Sequence, residues 1–151
     1  MILAAITSIE TEVERLEIQR QKGGPASLAD VLRSIADDKS LSIFQLIGDV
    51  NSSGEISLKK LGLSSRQYYS RMAAMMATGL IKRQRGIYYL TPFGKVIYCC
   101  IMIAKSALKN YYNLKAVEST EGSGFSKEDL GKLVNALIDN QQVKEFLVKK
   151  C

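Results

Sequence analysis

The side chains most able to do chemistry are the basic residues in the middle of the chain. Residues 59–95 contain eight lysines and arginines and no acidic residue, whereas residues 1–58 contain five basic and nine acidic residues. The net charge of this segment, +8, therefore exceeds that of the whole chain, +6. So dense a stretch of cations indicates a phosphate-rich partner such as nucleic acid, with a solvated surface as the ordinary alternative.

Histidine is absent from all 151 residues. Its absence excludes Ser-His-Asp and Cys-His relays and zinc sites built on imidazole. The sequence also lacks a phosphate-binding loop, a dinucleotide fingerprint and a cluster of carboxylates. The short Gly122-Ser123-Gly124 stretch is explained by a linker. We therefore expect no enzymatic activity, no cofactor and no metal.

Three cysteines, Cys99, Cys100 and Cys151, are too few for a disulfide framework. Neighbouring residues on a helix point about 100° apart, so Cys99 and Cys100 are poorly placed to chelate one ion together. The apolar run 96–104 around them favours packing in the core over a redox or metal-sensing role. Its nine residues fall short of the ~20 that a membrane span needs. Residues 1–6 are too short for a secretion signal, and we expect a cytoplasmic protein.

The elements that position the basic residues follow from apolar spacing. At the start of the chain, apolar residues step by four and three positions, as on one seam of a coiled coil. The seam consists of Ile2, Ile6, Ile9, Val13 and Leu16. It predicts a coiled-coil-like helix over residues 1–22, ended by the glycines and proline at 23–25. Two heptads are marginal alone, so this helix packs either on a second subunit or on its own domain.

The middle of the chain is predicted to alternate short helices with a hairpin. The expected elements are helices over 28–37 and 39–50, a very short strand at 55–57, helices over 57–61 and 65–78, and strands over 80–83 and 87–90. Ser64 is placed as the N-cap of the helix over 65–78, and Gly62 is free to adopt positive φ in the turn before it. The hairpin tip is expected at residues 84–86.

Thr91-Pro92 is a typical helix start, and the pattern behind it predicts one long helix over residues 92–115. Its two apolar faces indicate burial on two sides, one in the domain core and one in a dimer. The predicted dimer contacts are Ile2, Ile6, Ile9, Val13, Leu16, Ile97, Cys100, Ile101, Ala104, Leu108 and Tyr111. A C-terminal helical extension over residues 125–150 is expected to pack on the domain, on a second subunit or on a protein partner.

Three short motifs follow one another along residues 61–94. They are Leu61-Gly62-Leu63-Ser64, then Gly79-Leu80-Ile81, then Leu90-Thr91-Pro92-Phe93-Gly94. Over roughly half of the chain, this order resembles the ArsR-like winged helix-turn-helix regulators of the type common in archaea. The resemblance implies a mainly α fold with a small β-hairpin wing. It places a winged helix-turn-helix domain over residues 27–115, with N- and C-terminal helical extensions.

The resemblance also implies a transcription regulator that binds double-stranded DNA as a homodimer. The helix over 65–78 would be the recognition helix in the major groove, and the hairpin over 80–90 the wing on the backbone or minor groove. Arg66 is suited to guanine, Gln67 to adenine and Arg71 to phosphate. The predicted DNA contacts are Lys59, Lys60, Ser65, Arg66, Gln67, Tyr69, Ser70, Arg71, Lys82, Arg83 and Arg85.

Two other functions fit part of the pattern. A winged helix can serve as a protein-interaction module of a transcription or other assembly, but such a module can dispense with Arg66, Arg83 and Arg85. Tyrosine pairs at 68–69 and 88–89 invite base stacking on single strands, but one ring of each pair is expected in the core. Duplex binding is therefore the favoured interpretation.

Overall fold

A computed structural model of the chain describes residues 1–23, 27–49 and 61–149, with side chains in the first helix described up to Arg15. It is mainly helical with one two-stranded antiparallel hairpin, which confirms the predicted mainly α class with a small hairpin. The described elements are α1 (Ile2–Gly23), α2 (Leu28–Arg33), α3 (Asp38–Gly48), α4 (Ser65–Ala77), β1 (Ile81–Gln84), β2 (Ile87–Leu90), α5 (Pro92–Lys109), α6 (Tyr111–Thr120), α7 (Lys127–Leu137) and α8 (Gln141–Val148).

The chain divides into two compact units, Met1–Tyr98 and Cys99–Cys151. In the first unit, α3, α4 and the hairpin contribute the fully buried apolar side chains of the described residues, which are Ile43, Phe44, Met72, Met75, Leu80 and Ile81. Tyr68 is 8% exposed beside Met72 and Met75. The core stripe predicted for the helix over 65–78 is therefore confirmed, and it leaves the opposite face of α4 uncovered.

The helices before α4 differ in length from the prediction. The helix expected over 28–37 ends at Arg33, where the Ser34 hydroxyl donates to the Val31 carbonyl at 2.7 Å. Asp37 then caps α3, accepting from the backbone N–H groups of Lys39 and Ser40. An aspartate that satisfies the free N–H groups of the next helix favours a new start there.

The hairpin is joined firmly to both helices beside it. Gly79 has φ +75°, and the Leu80 N–H donates to the Met75 carbonyl at 3.0 Å, which ends α4 in a Schellman turn. On the other side, the Thr91 N–H donates to the Leu80 carbonyl at 3.0 Å, and the Gly94 N–H donates to the Thr91 hydroxyl at 2.9 Å. Gly94 lies against the Leu80 carbonyl, where a methyl group would overlap that oxygen.

The single helix predicted over 92–115 is wrong, because the chain forms two helices, α5 and α6, that meet at Asn110. The Asn110 side-chain amide donates to the Ser106 carbonyl at 3.0 Å, and its backbone ψ is +18°. Asparagine competes in this way for the bonds that continue a helix. Tyr111, predicted as a dimer contact on the long helix, therefore lies on α6.

Burial of α5 on a second side, in a dimer, is not tested by a single chain; within the chain Gly94 is buried, and Ile103 and Ala107 are half-buried against the core of the second unit. Both Cys99 and Cys100 are exposed, which corrects their expected place in the core. An apolar pattern shows that a face avoids water, but it does not say which molecule covers that face. Among the other predicted dimer contacts, Ile97 and Ile101 are half-buried and Ala104 and Leu108 are exposed.

The second unit has its own small core. Val117 of α6, Val134 of α7, Ile138 and Val143 of α8 are buried together. Ser126 caps α7 and Asn140 caps α8, each accepting a backbone N–H. This agrees with the helices expected within 125–150, apart from the last residues. Among the described residues, no helix is both long and apolar enough to cross a membrane.

Several expectations lie outside the described residues. They are the hinge at 24–25, the strand at 55–57, the helix over 57–61 except Leu61, the DNA contacts Lys59 and Lys60, and the terminal Cys151. The side chain of Leu16, predicted as a dimer contact, also lies outside them.

Candidate nucleic-acid interface

The first turn of α4 is held by a reciprocal cap. The Gln67 N–H donates to the Ser64 hydroxyl at 3.3 Å, and the Ser64 N–H donates to the Gln67 side-chain carbonyl at 3.1 Å. This capping box confirms Ser64 as the N-cap. It also engages the Gln67 oxygen that two-point pairing with adenine requires. Base reading by Gln67 would therefore have to open the cap.

The outer face of α4 presents polar groups from its first two turns. Ser65, Arg66 and Ser70 are exposed, and Tyr69 is 57% exposed. The Tyr69 ring meets the buried Tyr68 ring edge to face, with centroids 5.3 Å apart. This contact fixes Tyr69 beside the exposed ridge and confirms that one ring of the pair points into the core.

The hairpin places its basic residues at a tight tip. Its register pairs Lys82 with Tyr89 and Arg83 with Tyr88. Arg85 and Gly86 have φ values of +51° and +82°, as in a two-residue type I′ turn. The Arg85 side chain is exposed at this tip. Positive φ is unfavourable for an arginine because of its Cβ atom, whereas the adjacent glycine adopts it freely.

Arg83 has a partner within the hairpin. Its guanidinium carbon lies 5.5 Å from the centroid of the Tyr88 ring, within cation–π range. By alternation, Arg83 lies on the face of β1 that carries the buried Ile81, and Lys82 lies on the other face. Stacking on Tyr88 holds the Arg83 charge in place while the side chain stays exposed.

Arg71 is engaged inside the protein. Its Nη2 atom lies 3.3 Å from the Asp37 Oδ1 atom, and its side chain is 27% exposed. Asp37 also accepts the Ser40 hydroxyl at 2.5 Å and caps α3. The pair thus ties the start of α3 to α4. A phosphate contact by Arg71 would have to open this ion pair.

Hydrogen bonding lowers the pKa of Asp37 from 3.8 to about 2. The Ser40 hydroxyl is the largest cause; burial opposes it, and the Ser40 N–H and the Arg71 charge add to it. Because the folded pKa is depressed, the stabilisation is present above pH 3.8 and is lost as the pH falls toward 2.

Replacing Asp37 with asparagine should keep the cap but remove the ion pair. Since the Asp37 side chain is half exposed, we expect a loss of about 1 kcal/mol or less at pH 7. Urea unfolding of both proteins at pH 7, 4 and 2 measures it. The difference between them should shrink below pH 4, and a difference that stays constant down to pH 2 would contradict this role of the carboxylate.

The charges in the described part of this segment have one sign. Between residues 61 and 95, every ionised side chain is basic, and they are Arg66, Arg71, Lys82, Arg83, Arg85 and Lys95. All except Arg71 are exposed. Two structural elements, the first turns of α4 and the hairpin that follows, therefore present cations to solvent with no carboxylate of this segment among them.

Sequence reasoning missed two features of this surface. The ion pair between Asp37 and Arg71 was not predicted, because local sequence patterns do not pair residues 34 positions apart. Ile87 and Tyr89 are 58% and 44% exposed on the hairpin; one ring of the Tyr88–Tyr89 pair was expected to point outward, but which one was not predicted. Alternation against the buried Leu90 could have shown that Tyr89 points outward.

Comparison of the chain with protein-family models, with curated proteins and with solved structures gave no match.

Proposed function

We propose that the chain is a winged helix-turn-helix regulator of ArsR-like type that binds double-stranded DNA in a sequence-specific manner as a homodimer. In this proposal α4 is the recognition helix, the hairpin over 80–90 is the wing, and the turn at 61–64 leads into α4. The observation that carries the proposal is the exposure of Arg66, Lys82, Arg83 and Arg85 on two adjoining elements without an acidic neighbour in the segment.

Hydrogen bonds hold α4 and the hairpin in one fixed arrangement, which suits a rigid partner such as duplex DNA. The capping box sets the first turn of α4, and the bonds around Leu80 and Thr91 hold the hairpin against both neighbouring helices. A recognition helix places its first turns in the major groove. Arg66 stands in those turns and is suited to donate two hydrogen bonds to guanine.

The hairpin has the size and charge for the second contact. Its two-residue tip carries Arg85, and Lys82 and Arg83 lie on opposite faces of β1 beside it. Such a tip suits a narrow minor groove or the phosphate backbone, where the negative potential is strong. Cations on both faces of β1 are better placed to contact several phosphates than to read the edge of one base.

One observation favours a protein-interaction module instead. Tyr69, Ile87 and Tyr89 are each at least 44% exposed beside the cations, and aromatic residues with arginine are enriched in protein interfaces. In that case truncation of Ile87 and Tyr89 would weaken partner binding, while truncation of Arg66 and Arg85 would leave it nearly unchanged.

Selection of bound sequences from a random duplex pool tests the proposal. The dimeric protein should enrich one sequence in two related half-sites, because a twofold dimer presents two recognition helices. If the protein retains duplexes but their sequences stay random after repeated rounds, the protein binds DNA without sequence specificity, and that part of the proposal is wrong. A pool that is not retained at all would contradict the proposal.

A further inference from the structure

The exposed face of α4 carries apolar side chains as well as polar ones. Tyr69, Ala73 and Met76 are all exposed, Tyr69 by 57% and Met76 by 38%. At about 100° per residue, these three positions lie within about 60° of one another around the helix. They therefore form one narrow apolar strip that begins one turn after Arg66.

The core holds the Tyr69 ring in place at the start of this strip. Its edge-to-face contact with Tyr68 has ring centroids 5.3 Å apart, and Tyr68 itself is 8% exposed. A ring that already rests on a buried neighbour loses less side-chain freedom when a partner binds it than a free ring would. Tyr69 is therefore a prearranged apolar surface that faces solvent.

Tyr69 is also the neighbour of Arg66 on the helix surface. The two residues are three positions apart, which places Tyr69 about 4.5 Å further along the helix axis. Successive bases of a DNA strand are about 3.4 Å apart, so a helix that places Arg66 on a guanine brings Tyr69 to the next base pair or the one after it. Gln67 competes poorly for that position, because its side-chain carbonyl accepts the Ser64 N–H in the capping box.

The charges around the apolar strip indicate what covers it. Every ionised side chain between residues 61 and 95 is basic, so the strip lies within a cationic surface. Such a surface favours a polyanion that also presents apolar groups. In the major groove of duplex DNA the apolar group is the 5-methyl group of thymine, which alanine and aromatic side chains contact. Duplex RNA is a poor fit, because side chains cannot read its deep, narrow major groove.

We infer that Tyr69 is a specificity-determining residue, whose ring packs on the 5-methyl group of a thymine one or two base pairs from the guanine that Arg66 binds. The inference rests on the proposed function and names a second base that α4 reads. The small side chain of Ala73, next along the strip, lets the helix approach the floor of the groove closely enough for this contact.

Replacing single thymines of the selected duplex with deoxyuridine tests the inference on the native protein. Deoxyuridine pairs with adenine as thymine does and lacks only the methyl group. Fluorescence anisotropy measures the affinity for each substituted duplex. We expect one thymine in each half-site to lower the affinity about fourfold when replaced, which corresponds to one buried methyl group. The other thymines should have little effect.

Variants of the protein then connect the methyl group to Tyr69. Tyr69→Ala should bind the thymine and the deoxyuridine duplex equally, because it has lost the ring that distinguishes them. Tyr69→Phe keeps the ring and should keep the fourfold preference, so it also serves if Tyr69→Ala does not fold. Tyr112→Ala is the matched control, because Tyr112 is an 84% exposed tyrosine of the second unit. It should leave the affinities for both duplexes unchanged.

Three results would overturn the role of Tyr69. Deoxyuridine may change the affinity at no position, or Tyr69→Ala may keep the preference for thymine; in both cases Tyr69 does not read a methyl group. If Tyr69→Phe weakens binding to both duplexes equally, the tyrosine hydroxyl makes the contact instead of the ring. All three occur while the native protein still binds its selected duplex, so they differ from a failure of the proposed function, in which no duplex is selected.

Discussion

Replacing Gly94 with alanine is expected to destabilise the first unit by about 3 kcal/mol, the largest effect on stability that the fold predicts. A Cβ atom at this position would overlap the Leu80 carbonyl oxygen, which is backbone and cannot rotate away. That same carbonyl accepts the Thr91 N–H. The substitution would therefore separate the hairpin from α5, and urea unfolding of the variant measures the loss.

Gly131 of α7 is the matched control, because it is also a helical glycine but a methyl group added there would meet no atom within 4 Å. Gly131→Ala should stabilise the second unit by about 1 kcal/mol through helix propensity. The two substitutions thus have opposite expected signs. A Gly94→Ala protein as stable as the native one would show that the hairpin does not approach α5 as described.

Replacing Arg66 with alanine is expected to weaken binding to the selected duplex by ~1–3 kcal/mol, which is about 5- to 150-fold. Arg66 lies exposed in the first turn of α4, next to the capping box that fixes that turn. Loss of a two-point contact with guanine should also relax the preference at one base position. Fluorescence anisotropy on the selected duplex and on its single-base variants measures both effects.

Arg33→Ala is the control for this prediction. Arg33 is also an exposed arginine, but it lies on α2 and pairs with Asp30 at 2.7 Å. Its replacement should change duplex affinity by less than twofold, as for a surface ion pair outside the interface. If Arg66→Ala costs the same on every sequence, Arg66 contacts phosphate and not a base. If it costs nothing, Arg66 is not part of the interface.

Local patterns predicted the parts of the fold that neighbouring residues determine. The stripe of Tyr68, Met72 and Met75 followed from helical spacing, and the Ser64 cap followed from its side chain and position. The hairpin tip was predicted at residues 84–86, and the structure places the turn at Arg85 and Gly86, which both have positive φ, with Gln84 ending β1.

The features that the sequence did not reveal depend on competing hydrogen bonds or on contacts between residues far apart in the sequence. Asn110 interrupts a strong apolar repeat because its side chain bonds the backbone of the preceding turn, and periodicity does not weigh that bond. Arg71 looked free for phosphate until folding brought it to Asp37. Cys99 and Cys100 are exposed although they lie in an apolar run, because an apolar pattern does not say what covers it.

The sequence predicted which types of residue form the candidate site better than it predicted what each residue contacts. From composition alone, the one-signed charge along residues 59–95 predicts a surface for an anionic partner. Whether a given arginine faces a base, a phosphate or a carboxylate depends on contacts such as Arg83 on Tyr88 and Arg71 on Asp37. Those contacts exist only after folding.

The salt dependence of duplex binding tests the central claim most directly. If about four basic groups of each subunit meet phosphates, a dimer neutralises ~8, and a plot of log affinity against log salt should fall with a slope near −7. Binding to duplex DNA at 50 mM salt with that slope is the predicted result. No binding to any duplex at low salt, or binding whose strength does not change with salt, would contradict the account.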